Sequence, residues 1–242
     1  MLLKEKVALI VGTKDEIGSV TAEIMAQEGA KVVVAEQNAD SGQALVRKIV
    51  AMGGESFYQE MDVTLNLCHQ NLINRIIKEY GRLDISFINV SVDGDFFPLA
   101  RQSEDMVAGV IDVNFNGMWL SLKYQIEQML KNGGGAIVNN VCNYTKDGNL
   151  GCSIYSATKS AVASMSRVAA LEYARHNIRI NTISPALPKR SPDNFNQDVG
   201  EREFTHNHNT PQEIAEAITW LCSDKASSIT GHNLPIDVGL SA

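Results

Sequence analysis

The sequence alternates short apolar segments with longer amphipathic ones along its length, and this alternation constrains the fold more than any other feature. The apolar segments have the length of strands and lack a regular polar alternation, which is typical of strands buried on both faces of a parallel sheet. Their alternation with helical patterns predicts one domain over residues 1–242 with a doubly wound α/β fold. The strand segments are Val7–Val11, Val32–Val34, Ile85–Ile88 and Ala136–Val138, and the helical patterns are Ile17–Gln27, Ser41–Ala51 and Ser153–Ala174.

The composition excludes some partners. The chain has 242 residues, 44% of them hydrophobic, which is enough for one well-buried core. A net charge of -7 and a pI near 5.3 argue against a nucleic-acid partner, because few phosphate counterions would be released on binding. Both tryptophans, Trp119 and Trp220, fall in helical patterns and are expected in the core.

The cysteines and the hydropathy predict a cytoplasmic protein. Cys68, Cys142, Cys152 and Cys222 show no C-x-x-C spacing, so we expect reduced thiols and neither a disulfide framework nor a metal site. No apolar run approaches the roughly 20 residues that span a bilayer, and the first residues lack a signal-peptide pattern. We therefore expect no membrane partner.

Gly12 and Gly18 lie between the first strand segment and the first helical pattern. Glycines at such a junction permit a tight turn and a close approach of the backbone to a pyrophosphate on the helix N-terminus. Glu36 ends the second strand, where a carboxylate can accept hydrogen bonds from both ribose hydroxyls of an adenosine and repel a 2′-phosphate. A solvated glutamate is the alternative. With Asp15 in the glycine loop, this favours NAD(H) over NADP(H).

Several short motifs follow one another in a specific order. They are Val11-Gly12-x-x-x-Glu16-Ile17-Gly18, Asp62-Val63, Ile88-Asn89-Val90-Ser91, Asn114 in Asp-Val-Asn-Phe-Asn-Gly, Tyr155-Ser-Ala-Thr-Lys159, Asn181-Thr-Ile-Ser-Pro185 and Ile229-Thr-Gly-His-Asn-Leu. Together they resemble the single-domain branch of the short-chain dehydrogenase/reductase family over essentially the whole chain. The resemblance implies a Rossmann fold, a small-molecule substrate, and a homodimer or homotetramer built through the helices of Asn114 and Tyr155 and the C-terminal segment. It implies a cofactor site formed by Gly12, Lys14, Asp15, Ile17, Gly18, Glu36, Asp62, Val63, Asn89, Tyr155, Lys159 and Pro185.

Tyr155 and Lys159 are the candidate catalytic pair. Residues four apart on a helix share a face, and an ammonium beside a phenol lowers the pKa of the phenol. Such a tyrosine can exchange a proton with a substrate oxygen while hydride passes to or from nicotinamide. The resemblance implies that Lys159 also holds the nicotinamide ribose and that Asn114 anchors a water in the proton relay. In isolation, a surface Tyr-x-x-x-Lys pair would be the ordinary interpretation.

The catalytic motif departs from the family at Cys142, 13 residues before Tyr155, where a serine is usual. A thiol is a weaker donor than a hydroxyl, and loss of one preorganised donor lowers rates by a factor on the order of 10²–10³. Asn140 or Asn143 could substitute. A nucleophilic Cys142 activated by Lys159 is a further idea, although no histidine is placed to act as its base.

The cofactor motifs depart too. Glu16 stands where the middle glycine is usual, and its carboxylate either occupies the anion site at the helix N-terminus or extends into solvent and caps the helix. Ile88, Val90 and Ser91 replace the usual asparagine, alanine and glycine around Asn89.

A polar stretch at 189–210 is predicted to be a variable loop that borders the substrate crevice. Arg190 could supply charge to the cofactor phosphates. His206 and His208 lack further ligands nearby and are interpreted as solvated residues, so we expect no metal.

Three functions remain open from the sequence. The first is an NAD(H)-preferring oxidoreductase that interconverts a secondary alcohol and a carbonyl compound, with Tyr155 as acid/base, Lys159 as its partner, Asn114 in the relay and Cys142 as a weakened polarising group. The second is a catalytically impaired family member that acts as a binding or assembly partner, and the third is a non-redox reaction. The retained Tyr155, Lys159 and Asn114 favour the first, whereas Cys142 and the altered phosphate loop favour the second.

Overall fold

A computed structural model describes residues 1–142, 150–185 and 209–239, which build a seven-stranded sheet in the order β3-β2-β1-β4-β5-β6-β7. Every neighbouring pair of strands is parallel, which confirms the predicted doubly wound sheet. The strands are β1 (Val7–Val11), β2 (Lys31–Glu36), β3 (Ser56–Glu60), β4 (Ile85–Ile88), β5 (Gly135–Asn140), β6 (Ile178–Pro185) and β7 (Asn233–Ile236). The described α-helices are α1 (Glu16–Gln27), α2 (Ala39–Ala51), α3 (Asn66–Tyr80), α4 (Glu104–Ile111), α5 (Met118–Asn132), α6 (Ser153–Tyr173) and α7 (Pro211–Cys222).

Strand β1 shows why the apolar segments lack a polar alternation. All five of its residues are buried. Leu9 and Val11 point into an apolar layer beneath α3, α5 and α6, whereas Ala8 and Ile10 point into a second layer beneath α1, α2 and α7. Successive side chains of a strand point to opposite faces, so a strand covered on both sides must be apolar at every position.

The sheet order reverses between β1 and β4, which pair directly although β2 and β3 intervene in the sequence. The connections from these two strands leave in opposite directions, so a crevice opens at their carboxyl ends, where open α/β sheets bind ligands. Gly12 follows β1 with a φ of +85°, and a Cβ atom there would lie 2.8 Å from the carbonyl oxygen of Asn89. The turn after β1 therefore rests directly against the end of β4.

The tryptophan prediction was wrong. The side chains of Trp119 and Trp220 are 48% and 38% exposed. On α5 the buried face is occupied by Met118 and Leu122, and a residue one position along a helix is turned by about 100° from its neighbour. Helical periodicity identified the helix but not the face that the tryptophan occupies.

Most of the predicted 189–210 loop lies outside the described residues, as do Arg190, His206 and His208. Its last residue, Thr210, caps α7 through a reciprocal pair of hydrogen bonds with Glu213. None of the helices in the described part of the chain has the length and apolar character needed to cross a bilayer.

Candidate functional site

Tyr155 and Lys159 lie in the first turns of α6 and share one face of it, as the spacing predicted. Both side chains are buried, with exposures of 4% and 1%. The ammonium nitrogen of Lys159 is 5.7 Å from the centre of the Tyr155 ring. The pair faces the carboxyl ends of β4 and β5, since Lys159 Nζ donates hydrogen bonds to the carbonyl oxygens of Val90 (3.0 Å) and Asn140 (3.4 Å).

The phenol of Tyr155 packs against the side chains of Cys142 and Cys152. Burial raises the pKa of Tyr155 above its ordinary value, and the neighbouring Cys142 adds to this effect, whereas a hydrogen bond donated by the Ser91 hydroxyl (3.4 Å) opposes it. The expectation of a lowered pKa was therefore wrong for the folded chain. Burial, Cys142 and Asp93 all disfavour the phenolate, and the hydrogen bond from Ser91 is too weak to offset them.

Burial acts on Lys159 in the same sense, because it penalises the charged form. It lowers the pKa of Lys159 to about 8, against the opposing influence of negative groups nearby that include Asp93 and Asp15. A lysine of this kind is charged at neutral pH and titrates just above it. The site therefore holds a neutral phenol beside an ammonium whose pKa is only slightly above neutral pH.

Cys142 lies two residues after the end of β5 and is 2% exposed. Its φ of +56° is unusual for a residue other than glycine, and strained residues of this kind are enriched at active sites. The backbone N–H of Cys142 donates to Asn140 Oδ1 at 3.2 Å, and Asn140 Nδ2 donates to Asn89 Oδ1 at 2.7 Å. The Asn140 amide is thus engaged on both sides, which argues against it as a substitute donor toward the substrate. Asn143 lies outside the described residues.

Asn114 is fully buried in a π-helical segment, Asp112–Gly117, between α4 and α5. Its side-chain amide donates to the carbonyl oxygen of Val92 and accepts from the N–H of Val92, both at 2.8 Å. This pairing fixes the chain that leaves β4. A π-helical turn interrupts the regular backbone hydrogen bonds and often marks a functional site.

The turn between β1 and α1 is closely packed around its glycines. A Cβ atom on Gly18 would lie 2.3 Å from the carbonyl oxygen of Gly12. Asp15 caps α1, because its Oδ1 accepts hydrogen bonds from Gly18 N and Asn89 Nδ2, both at 2.8 Å. Of the two interpretations of Glu16, the structure supports exposure to solvent. The carboxylate at the helix N-terminus is that of Asp15.

Glu36 is 7% exposed at the end of β2, so the interpretation as a solvated glutamate was wrong. Its Oε2 accepts from the N–H of Thr13 at 2.8 Å, and its Oε1 accepts from the N–H of Gln37 at 2.9 Å. The carboxylate thereby joins the end of β2 to the glycine turn. Two longer hydrogen bonds, from Thr13 Oγ1 (3.4 Å) and the N–H of Asn38 (3.3 Å), occupy the remaining acceptor positions of the carboxylate, so a ribose hydroxyl would have to replace one of them.

The remaining predicted cofactor residues surround the same edge of the sheet. Lys14 is exposed in the glycine turn, whereas Ile17 is buried in the first turn of α1. Asp62 closes the turn after β3 by accepting a backbone hydrogen bond, and Val63 packs beside it against the π-helical segment. Pro185 is buried at the end of β6.

Sequence reasoning assigned no role to three residues that lie around Tyr155. Ser91 was noted only for its added volume, yet its hydroxyl is the polar neighbour of Tyr155 Oη. Cys152 and Phe96 pack against Tyr155 and Cys142. The contacts of Ser91 and Phe96 with Tyr155 join segments about sixty residues apart, and no local pattern in the sequence signals them.

These features define a Rossmann-fold oxidoreductase. They are the parallel sheet, the glycine turn after β1, the acidic residue that ends β2, and the buried tyrosine–lysine pair at the carboxyl edge. Comparisons with known proteins agree. A family model described as "Enoyl-(Acyl carrier protein) reductase" matches residues 11–241. The chain is similar to a short chain dehydrogenase/reductase, astE, of Aspergillus oryzae, with 32% identity over 250 residues that cover 99% of this chain and 96% of that one.

It is also 33% identical to a cyclohexanol dehydrogenase of an Acinetobacter species over 237 residues, 96% of this chain and 93% of the relative. Among solved structures, a short chain dehydrogenase from Mycobacterium smegmatis superposes with a TM-score of 0.87 at 26% identity, covering 97% of this chain and 93% of the other. The chain belongs to the short-chain dehydrogenase/reductase family, whose members are oxidoreductases that act on alcohols and carbonyl compounds.

Proposed function

We propose that this chain is an NAD(H)-preferring oxidoreductase that interconverts a secondary alcohol and a carbonyl compound. The observation that carries the proposal is the meeting of Tyr155, Lys159 and Cys142 at the carboxyl ends of β4 and β5, beside the glycine turn. A phenol and an ammonium in one buried site can move a proton to or from a substrate oxygen.

The residues at the edge of the sheet fit a nicotinamide dinucleotide. Gly12 and Gly18 leave no room for a Cβ atom, so the turn keeps the close backbone packing that brings a pyrophosphate to the start of α1. Glu36 and Asp62 would hold the adenosine, and Lys159 the nicotinamide ribose. When bound, the dinucleotide supplies or accepts the hydride.

The charge of the glycine turn supports a preference for NAD(H) and a modest affinity. The carboxylates of Asp15 and Glu36 lie at the start of α1 and the end of β2, where they would repel the additional phosphate of NADP(H). Asp15 also takes a backbone N–H of α1 that a pyrophosphate could otherwise use. We expect dinucleotide binding to be weaker than with an uncharged residue at this position.

Tyr155 performs the proton transfer in this proposal. Because burial raises its pKa, the phenol is protonated at neutral pH and Oη can donate to a carbonyl oxygen during reduction. Ser91 and Cys142 contact the phenol and could polarise the same oxygen, the thiol more weakly than the hydroxyl. The ammonium of Lys159 stabilises the phenolate that remains, and Asn114 holds the loop after β4 in place.

The relatives suggest a first substrate to test. One of them is a cyclohexanol dehydrogenase. The groups around Tyr155 include the apolar side chains of Cys152 and Phe96, which would accommodate the ring carbons of a cyclic secondary alcohol. Cyclohexanol is therefore the substrate on which we would begin.

The experiment is a titration of the protein with NADH, followed by nicotinamide fluorescence. We expect saturable binding and an affinity for NADPH that is lower by about tenfold or more, as one unscreened like charge would give. Tyr155→Phe should retain NADH binding but lower cyclohexanol oxidation with NAD by about 10²–10⁴-fold. An absence of binding at millimolar NADH would contradict the proposal and support a family member that has lost catalysis and acts as a binding partner.

A further inference from the structure

A chain of side-chain amides connects the glycine turn to the catalytic residues. Asn89 Nδ2 donates to Asp15 Oδ1 at 2.8 Å, and Asn89 Oδ1 accepts from Asn140 Nδ2 at 2.7 Å. Asn140 Oδ1 then accepts from the backbone N–H of Cys142 at 3.2 Å. These hydrogen bonds run across the carboxyl ends of β1, β4 and β5 without interruption.

The two ends of this chain fix its direction. An ionised carboxylate only accepts hydrogen bonds and a backbone N–H only donates. Asp15 at one end and the N–H of Cys142 at the other therefore determine which way both intervening amides must face. Asn89 Nδ2 also donates to the carbonyl oxygen of Gly12 at 3.2 Å, so a change at Asp15 would weaken the hydrogen bonds of Asn89 and Asn140 without reversing the amides, because aligned hydrogen bonds reinforce one another.

Asn140 touches two catalytic residues at once. Its side chain holds the N–H of Cys142, whose φ of +56° has to be maintained by its surroundings. Its backbone carbonyl accepts a hydrogen bond from Lys159 Nζ at 3.4 Å. Asn140 is itself 8% exposed, so these bonds are shielded from water.

We propose that Asn140 is a positioning residue that couples the glycine turn to the placement of Cys142 and Lys159. Asn140 need not touch the substrate. Through its hydrogen bond to Asn89, Asn140 connects the carboxylate at the start of α1 to the residues that act on the substrate oxygen. The role in turnover rests on the oxidoreductase function proposed above, whereas the physical coupling does not.

The chain offers a matched control in the adjacent residue of β5. Asn139 is buried, as Asn140 is, but it points to the other face of the sheet, where its Nδ2 donates to Ser166 on α6 at 2.8 Å. Replacing either asparagine by leucine removes a side-chain amide from the same strand and leaves a side chain of similar size. Only Asn140→Leu breaks the series of hydrogen bonds that begins at Asp15.

The coupling is tested first without any activity, by a double-mutant cycle on chemical unfolding. Asp15→Ser keeps a side chain that can cap a helix but removes the carboxylate to which Asn89 donates. With Asn140→Leu, we expect the combined effect on the unfolding equilibrium constant to depart from the product of the single effects by about threefold or more. With Asn139→Leu the effects should multiply. Independent effects in both cycles would overturn the coupling.

The positioning role is tested by kcat at saturating NAD across pH. Asn140→Leu should lower kcat by about 10- to 100-fold, as small displacements of catalytic groups do, while NADH affinity stays within about twofold. Asn139→Leu should leave kcat and its pH profile unchanged. An equal loss of kcat in both variants would overturn the role, since it would indicate a general loss of packing in β5.

Asn140→Asp keeps the proposal testable if the leucine variant does not fold. It preserves the size of the side chain and the acceptor for Cys142, but cannot donate to Asn89 when ionised. Its charge beside Lys159 should raise the pKa of that ammonium and move the alkaline limb of the kcat profile upward. An unmoved alkaline limb would contradict the placement. If the wild-type chain oxidises no alcohol, the oxidoreductase proposal fails and the unfolding cycle alone decides the coupling.

Discussion

Lys159 brings an ammonium group into the interior at the edge of the sheet, where it donates hydrogen bonds to two backbone carbonyls. Carbonyl oxygens satisfy the donors but do not neutralise the charge, so the buried ion is destabilised relative to water. The same burial keeps Tyr155 protonated. At the scale of the residue, burial sets the charge of both members of the catalytic pair.

This charge has a consequence for stability that depends on pH. Burial lowers the pKa of Lys159 from 10.5 to about 8 in the folded chain. Between these values the unfolded chain binds the proton and the folded chain does not, so the contribution of Lys159 to stability rises with pH in this window. Below pH 8 the full penalty of the buried charge remains.

We therefore expect Lys159→Met to raise the free energy of unfolding relative to the wild type by more at pH 7 than at pH 9.5. The difference between the two proteins should shrink by about 2 kcal/mol over this interval, from 1.36 kcal/mol per pKa unit. Urea unfolding at the two pH values measures it. A difference that stays constant or grows with pH would show that the ammonium is not buried as described.

The turn from β1 into α1 requires both a left-handed backbone conformation and close packing at Gly12. Gly12 has a φ of +85° and lies against the backbone of Asn89, whereas Gly53 after α2 has a φ of +86° with open space around the position of a Cβ atom. Both glycines carry the same conformational demand. Only Gly12 is also packed closely, because the backbone of Asn89, just after β4, lies against it.

Alanine at each position separates the two demands. Gly53→Ala should lower the free energy of unfolding by about 1–2 kcal/mol through its left-handed backbone. Gly12→Ala should lower it by about 1–3 kcal/mol more, because its Cβ atom meets a backbone that cannot move freely. Parallel urea unfolding of the two variants provides the comparison. Equal losses would mean that the turn is not packed against β4.

The whole molecule carries apolar side chains on the outer surfaces of α5 and α6. Trp119 on α5 is 48% exposed, and Val168 and Leu171 on α6 are 52% and 74% exposed. These helices follow Asn114 and carry Tyr155, the helices through which the family resemblance implies subunit contact. Exposed apolar side chains of this size are typical of surfaces that a partner covers.

We expect the protein to sediment as a homodimer or homotetramer. Leu171→Glu and Trp119→Glu should shift it toward the monomer, because each places a charge in an apolar contact. Leu67→Glu on α3, where the wild-type side chain is 64% exposed, is the matched control and should not change the mass. A monomeric wild-type protein, or dissociation by the control alone, would contradict this assembly.

The sequence alone was sufficient for features that depend on local periodicity. Apolar segments such as Val7–Val11 and Ile85–Ile88 predicted strands with the observed bounds, since burial on both faces leaves a continuous apolar run. The four-residue spacing placed Tyr155 and Lys159 on one face of α6, because 3.6 residues complete a helical turn.

Only the tertiary structure decided the pKa values and the hydrogen-bond partners of these residues. The pKa of Tyr155 is raised and not lowered, the helix cap falls to Asp15 and not Glu16, and Asn140 faces Asn89 and not the substrate. Each of these outcomes depends on burial or on hydrogen bonds between strands far apart in the chain. Burial and hydrogen bonding depend on many residues that are distant in the sequence, so they produce no periodic pattern in it. The buried faces of helices and strands do produce such a pattern.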